Sequence, residues 1–248
     1  MNIFIQKHEL QAQKAAFDVE KRISEAIDTK GMAHIILATG NSQLKFLEAL
    51  RKRPIVWEKV IIFHLDEYIG LDENHPASFI RYLRENIIKH INPFRFYPLE
   101  GNTSNLFAVL KNYTYLLEKH PIDLACIGIG ENGHLAFNDP GVANFKDPHL
   151  IKEVELDHDC RMQQYNEGWF DRLDAVPKKA ITLTLPAIMK AKHISCFVPD
   201  ERKAQAVKKA LEGAIIERCP ASILREHPSV NLYLDPPSAQ LLSDPFDP

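Results

Sequence analysis

Six short apolar runs, set apart by longer amphipathic ones, limit what this chain can fold into more than any other feature. AHIILA (33–38), KVIIFHL (59–65), IDLACIGI (122–129), AITLTL (180–185), HISCFV (193–198) and VNLYL (230–234) are rich in Ile, Val and Leu, and several are apolar almost throughout. A strand with one wet face alternates. A strand that is apolar along its length is covered on both faces, as in a parallel sheet. Helix-like segments lie between and around the runs, at 10–28, 42–52, 76–90, 105–120, 186–191 and 200–213. This alternation predicts an α/β fold: a doubly wound, mostly parallel sheet flanked by helices, Rossmann-like in layout. The 248 residues suit one large domain spanning 1–248, with no internal repeat and no low-complexity linker. The proline-rich tail DPPSAQLLSDPFDP is expected to run over the surface.

Composition narrows the function classes. The formal net charge of −3 argues against a basic nucleic-acid binder, so any anion site must be local. The four cysteines, Cys126, Cys160, Cys196 and Cys219, are widely spaced with no CxxC pair, which argues against a structural zinc site or a disulfide framework. Cys126 and Cys196 sit in apolar runs and are expected to be buried and inert. No apolar stretch approaches the ~20 residues of a membrane span. The N-terminal segment turns charged too soon for a signal peptide. These readings predict a cytoplasmic protein with no membrane and no nucleic-acid partner.

In such sheets ligands bind beyond the carboxyl ends of the strands, so the segments that follow the strands carry the information. ATGNSQ (38–43) offers Thr39, Gly40, Asn41 and Ser42 at a helix start. Hydroxyls, an amide and unpaired backbone N–H groups there suit a phosphate, although a plain N-cap by Asn41 or Ser42 explains the same residues. LDEYIG (65–70) places Asp66 and Glu67 at a strand end. Adjacent side chains point apart, so the two need not share a role. A carboxylate there is well placed as a general base, and a helix cap or a surface pair is the plainer alternative. GENGHLAFNDPG (130–141) resists a plain reading more strongly. His134 has the ordinary pKa that suits proton shuttling near neutrality, and Asn132, Asn138 and Asp139 flank it in a glycine-rich loop. A hydrolytic zinc site usually needs three protein ligands, and the chain has no HExxH-like pair, so metal ligation is the weaker reading.

Together, TGNS, LDEYIGLDENHPASF and GIGENGHLAFNDP, in this order, resemble the glucosamine-6-phosphate deaminases, within a group that includes 6-phosphogluconolactonases. VPKKAITLTLPAIMKAK and PDERKAQAVKKALEG extend the likeness over all but about the last fifteen residues. The resemblance implies isomerisation with deamination of an amino-sugar phosphate, needing neither metal nor cofactor. It implies His134 as the ring-opening acid–base and Asp66 as the base that moves a proton from C2 to C1. Asn132 and Asp139 stand as the partners of the histidine. Thr39, Gly40, Asn41, Ser42, Glu67 and Lys203 are implied in binding the substrate and its phosphate. Without the likeness, Lys203 reads as a solvated residue on a charged helix. A homo-oligomer is possible.

Three positions depart from the pattern. Asn132 stands where some members have aspartate, and an amide can orient an imidazole without stabilising its charged form as a carboxylate does. Asp139 replaces a glutamate. Its carboxylate falls short by roughly 1.5 Å, a scale of misplacement that can cost about a hundredfold in rate. Either the loop compensates or the substrate differs, for instance at C4. The family's phosphate arginine is missing from DHDCRMQQYNEGWF, where Arg161 is the chosen substitute and Arg172 the other option. The basic cluster that allosteric members use for N-acetylglucosamine 6-phosphate is also missing, which predicts no such activation. Two further classes compete with the deaminase. A lactonase would read DER and GxDGHTASLFP, whereas this chain reads DEY and GENGHLAFNDP. A silent sugar-phosphate binder would have no need of an enolising base.

Overall fold

A computed structural model of the chain describes residues 1–166 and 168–243; Glu167, residues 244–248 and the side chains of Asp159 and Gln163 lie outside the description. In chain order the strands are β1 (Asn2–Ile5), β2 (Ala33–Leu37), β3 (Val60–His64), β4 (Asp66–Tyr68), β5 (Arg95–Tyr97), β6 (Leu124–Ile127), β7 (Ile151–Glu155), β8 (Lys179–Leu183), β9 (His193–Val198) and β10 (Val230–Leu234). The helices are α1 (His8–Lys30), α2 (Leu44–Leu50), α3 (Phe79–Asn86), α4 (Leu106–Lys119), α5 (His158–Asn166), α6 (Leu185–Met189), α7 (Ala204–Glu212) and α8 (Pro236–Ala239). Seven strands form an all-parallel sheet in the order β1-β10-β9-β6-β2-β3-β5.

The apolar runs are continuous because both faces of this sheet are buried. Along β2, Ile35 and Leu37 face the cluster beneath α1 and α2, while Ile36 faces the opposite cluster with Ile61, Phe63 and Ala125. The same alternation holds in β3, β6 and β9. α1 lies close to the sheet because its buried stripe is small: Ala12, Ala15, Ala16 and Val19 recur at helical spacing. It ends at Gly31, whose φ of +86° lets its N–H reach Ile27 O.

One sequence expectation needs correction. AITLTL forms β8, and β8 is not part of the parallel sheet. It is the middle strand of a separate antiparallel sheet, β4-β8-β7. The segment is buried on both faces: Ile181 and Leu183 join the main core while Ala180 joins a third cluster with Tyr68, Phe137 and Phe170. LDEYIG is likewise not a plain loop, since Asp66–Tyr68 is the edge strand of this small sheet. Of the tail, Pro236–Ala239 is a helical turn whose N-cap, Asp235, makes a capping box with Ser238. The end of the tail, residues 244–248, lies outside the described residues. No helix among the described residues is long and apolar enough to cross a membrane.

Candidate active site

The site forms where the chain leaves the carboxyl ends of β2, β3, β6 and β9. After β2, Gly40 adopts φ +102° and a 3-10 turn, Asn41–Gln43, leads into α2. Gln43 is buried, and its Nε2 donates to Phe197 O in β9 at 3.1 Å. That bond crosses the end of β6, which lies between β2 and β9. It can do so because Gly128 has no side chain: a Cβ there would sit 2.8 Å from Gln43 Nε2 and 3.4 Å from Phe197 O. Tyr82 Oη donates to Gly40 O at 2.7 Å and fixes the turn from the other side.

After β3, the two acids part as strand geometry requires. Glu67 turns to the start of α3, where its carboxylate accepts from Tyr68 N (2.8 Å), Ser78 Oγ (2.9 Å), Ile80 N (2.9 Å) and Phe79 N (3.3 Å). It is a helix-capping group and does not line the cavity, so the helix-cap alternative describes Glu67 and the substrate-binding expectation does not. Asp66 lines the cavity and is 6% exposed. Burial first, then the charges of Glu67 and Asp139, hold its pKa well above the ordinary carboxylate value.

After β6, the glycine-rich loop is held by its own amides. Asn138 Nδ2 donates to Leu135 O (2.9 Å) and Leu183 O (2.8 Å), and Phe137 N donates to Thr182 Oγ1 (3.1 Å). Ala136 is held at φ +53°, a left-handed conformation unusual for a residue with a side chain. His134 N–H donates to Asn132 Oδ1 at 3.0 Å, which fixes that amide's orientation. Asn132 Nδ2 then donates to Asp139 Oδ1 at 2.7 Å. His134 Nδ1 lies 2.8 Å from Asn132 Oδ1 and 3.0 Å from Asp139 Oδ1. Burial raises the Asp139 pKa, but His134 and hydrogen bonds from Asn132 and Cys160 outweigh it, and the carboxyl stays below its ordinary value.

These segments enclose a cavity of about 100 Å³. Of the expected site residues, Thr39, Gly40, Asn41, Ser42, Asp66, His134 and Lys203 line it. Asn132 and Asp139 stand behind His134, outside the lining. Arg161 is elsewhere: its Nε and Nη2 donate to Val176 O (3.2 Å) and Leu173 O (2.6 Å), so it serves the 173–176 turn and not the cavity. Arg172 pairs with Asp174 on the surface. The arginine that lines the cavity is Arg202, which the sequence reading passed over. A signal was available, since PDERK follows β9 as ATGNSQ follows β2. Gln164 and Trp169 also line the wall and had no signal beyond their place in the departing segment. Among the described residues no group of three or more His, Cys, Asp or Glu side chains could hold a metal ion.

The family described as glucosamine-6-phosphate isomerases/6-phosphogluconolactonase matches residues 6–233. Glucosamine-6-phosphate deaminases of Bacillus thuringiensis (strain Al Hakam) and Bacillus anthracis (strain A0248) are each 36% identical over 244 residues, 98% of this chain and 90% of theirs. A solved monomeric glucosamine-6-phosphate deaminase superposes with a TM-score of 0.89 at 32% identity, over 97% of this chain and 100% of that one. A 6-phosphogluconolactonase from Trypanosoma brucei superposes with a TM-score of 0.80 at 18% identity over 98% of each chain, a likeness of fold alone. Matched along nearly its whole length, in sequence and in structure, the chain belongs to the glucosamine-6-phosphate isomerase/6-phosphogluconolactonase family.

Proposed function

We propose that this chain is a glucosamine-6-phosphate deaminase that converts glucosamine 6-phosphate and water to fructose 6-phosphate and ammonia. The observation that carries the reading is that Asp66 and His134 line one cavity with the 39–42 loop and Lys203. The names of the relatives at 36% and 32% identity support the same reaction. The 6-phosphogluconolactonases resemble it at 15–21% identity, in fold alone.

In this reading the phosphate rests on the N–H groups and hydroxyls of residues 39–42, with Lys203 beside it. His134 presents Nε2 to the ring oxygen, because Nδ1 faces two acceptors and keeps its proton. Nε2 takes the C1 hydroxyl proton and delivers it to that oxygen, so the C1–O bond of the ring breaks as the C1 carbonyl forms, and Asp139 behind Nδ1 stabilises the imidazolium in between. Asp66 takes the C2 proton, and the electron pair moves to the C1 carbonyl oxygen, which takes a proton from solvent to give an enolamine. The same carboxyl returns the proton to C1, leaving a C=N bond at C2. Water adds to C2 and ammonia leaves. One carboxylate serves both carbons because they are bonded neighbours. Burial makes Asp66 a stronger base than an exposed carboxylate.

All of these residues come from one chain, so no second copy is needed, and the solved deaminase at 32% identity is described as monomeric. The four cysteines are free and buried, which fits a reducing, cytoplasmic setting. The test is ammonia release by purified protein from glucosamine 6-phosphate and galactosamine 6-phosphate, side by side. Release from the first, with fructose 6-phosphate formed in equal amount, is expected. Release only from the second would move the substrate to the C4 epimer. Release from neither by folded protein would overturn the deaminase and turn attention to 6-phosphogluconolactone.

A further inference from the structure

We propose that Arg202 binds the substrate's phosphate, held ready by Asp200 and Glu131 and passed to the phosphate on binding; this rests on the sugar-phosphate reading above. A phosphate monoester carries about two negative charges near neutral pH. Lys203 supplies one positive charge. Among the described cavity-lining residues, Arg202 is the other lysine or arginine, and Arg161 is committed to carbonyls elsewhere.

Arg202 and Lys203 share one 3-10 turn, Glu201–Lys203, capped by Asp200. Asp200 sits at φ +88°, a conformation residues with side chains rarely adopt. Its N–H donates to both carboxylate oxygens of Asp235, at 3.1 and 3.2 Å, and Asp235 is itself fixed as the N-cap of α8. Strain held by a second carboxylate sets the direction of this turn at the cavity mouth.

The guanidinium already has anionic partners. Arg202 Nη2 lies 3.0 Å from Asp200 Oδ2, Nε donates to both Asp200 oxygens at 3.2 Å, and Nη1 lies 3.3 Å from Glu131 Oε1. All three side chains are at least one-third exposed, so solvent screens both pairs, the forked one to Asp200 being the stronger. A dianion that fits the planar guanidinium fork and also takes the amides of residues 40–42 would outcompete them. Glu131 and Asp200 therefore keep the arginine extended towards the mouth until substrate arrives.

The test compares wild type with R202Q, R202K and E131Q. It measures steady-state ammonia release from glucosamine 6-phosphate and direct calorimetric binding of inorganic phosphate. R202Q is expected to raise KM and weaken phosphate binding, each by about tenfold to a hundredfold, with kcat little changed. R202K should fall between, keeping the charge but losing the fork. E131Q removes a competitor and should leave KM unchanged or lower it. If R202Q leaves KM and phosphate affinity within twofold of wild type, Arg202 is not a phosphate ligand. Equal losses of kcat in R202Q and E131Q, with KM unchanged, would also overturn the inference, because they mark a latch between two loops. Wild-type protein that releases no ammonia defeats the deaminase reading alone, since phosphate binding by wild type and R202Q still decides the role of Arg202.

Discussion

His134 Nδ1 lies 2.8 Å from Asn132 Oδ1 and 3.0 Å from Asp139 Oδ1, and Asn132 Nδ2 closes the triangle onto the same Asp139 oxygen at 2.7 Å. The short carboxylate therefore reaches the imidazole directly, and the asparagine braces both. Asp139→Asn should keep the geometry but remove the negative charge beside His134 Nδ1. Its kcat should fall by roughly 10²–10⁴-fold with KM little changed. A loss under threefold would show that Asn132 alone is sufficient.

Asp139→Glu reads the packing of the same triangle. Asp139 is 3% exposed, with Cys160 close by at 2%, so an added methylene has no free space. Overpacking of this kind costs about 1–3 kcal/mol. The variant should melt earlier and turn over more slowly. An unchanged melting temperature, with the same preference between the C4 epimers, would mean that the shorter side chain is incidental.

Two glycines separate binding from chemistry. A Cβ at Gly128 would displace Gln43 Nε2 from Phe197 O and loosen the 39–42 loop. A Cβ at Gly130 would overlap the His134 ring. Gly128→Ala should therefore raise KM by about tenfold, the worth of one buried hydrogen bond, and leave kcat nearly intact. Gly130→Ala should lower kcat and affect KM less. Steady-state kinetics on both variants decide the matter, and the opposite pattern would reverse the assignment of the two loops.

Glu67 carries structure where its neighbour is proposed to carry chemistry. Glu67→Ala strips the acceptor from two backbone N–H groups of α3 and from Ser78 Oγ. A loss of about 1–3 kcal/mol in chemical denaturation is expected. At temperatures where the variant is folded, KM should stay within a few-fold of wild type. A large rise in KM without loss of stability would restore Glu67 as a substrate contact.

Much of this was legible because burial writes itself into apolar runs. The strands of the large sheet that lie between others, β2, β3, β6, β9 and β10, stood out, since two covered faces leave nothing polar to confuse the pattern. β7 reads IKEVE and β4 reads DEY. Neither carries that pattern, because the first has only two apolar residues among three charged ones and the second is three residues long and begins with two acids. β8 was found but misplaced, for an apolar run reports burial and not direction. His134 and the 39–42 loop fall in glycine-containing turns after strands and Asp66 lies just past the end of β3, and so these could be named. Arg161 could not be told from Arg202 by chain position. Which arginine reaches the cavity depends on Asp200's left-handed backbone and on Asp235, 35 residues further along the chain.

The two site carboxyls should pull stability in opposite directions with pH. Asp66 has a folded pKa raised by burial, so the folded state binds its proton more tightly than the unfolded chain does. Its stabilising contribution is complete below the ordinary carboxylate value near 3.9 and is lost as pH rises through the raised folded value. At pH 7 wild type therefore carries a penalty that Asp66→Asn relieves. Asp139 has a lowered folded pKa, so its contribution is present above the ordinary value and is lost as pH falls. Asp66→Asn should melt higher than wild type at pH 7, and Asp139→Asn lower. The Asp66 gap should narrow as the pH approaches 4, and the Asp139 gap only as it falls below that value. Asp66→Asn should also lose C2 proton exchange with solvent while still binding fructose 6-phosphate, because the strain it relieves is the burial that makes Asp66 a base. Melting curves at pH 3, pH 4 and pH 7, with an exchange assay at pH 7, check every part. Exchange at the wild-type rate in Asp66→Asn would remove it as the base, and a lower melting temperature at pH 7 would show that its carboxylate is stabilised in the fold by contacts that outweigh its desolvation.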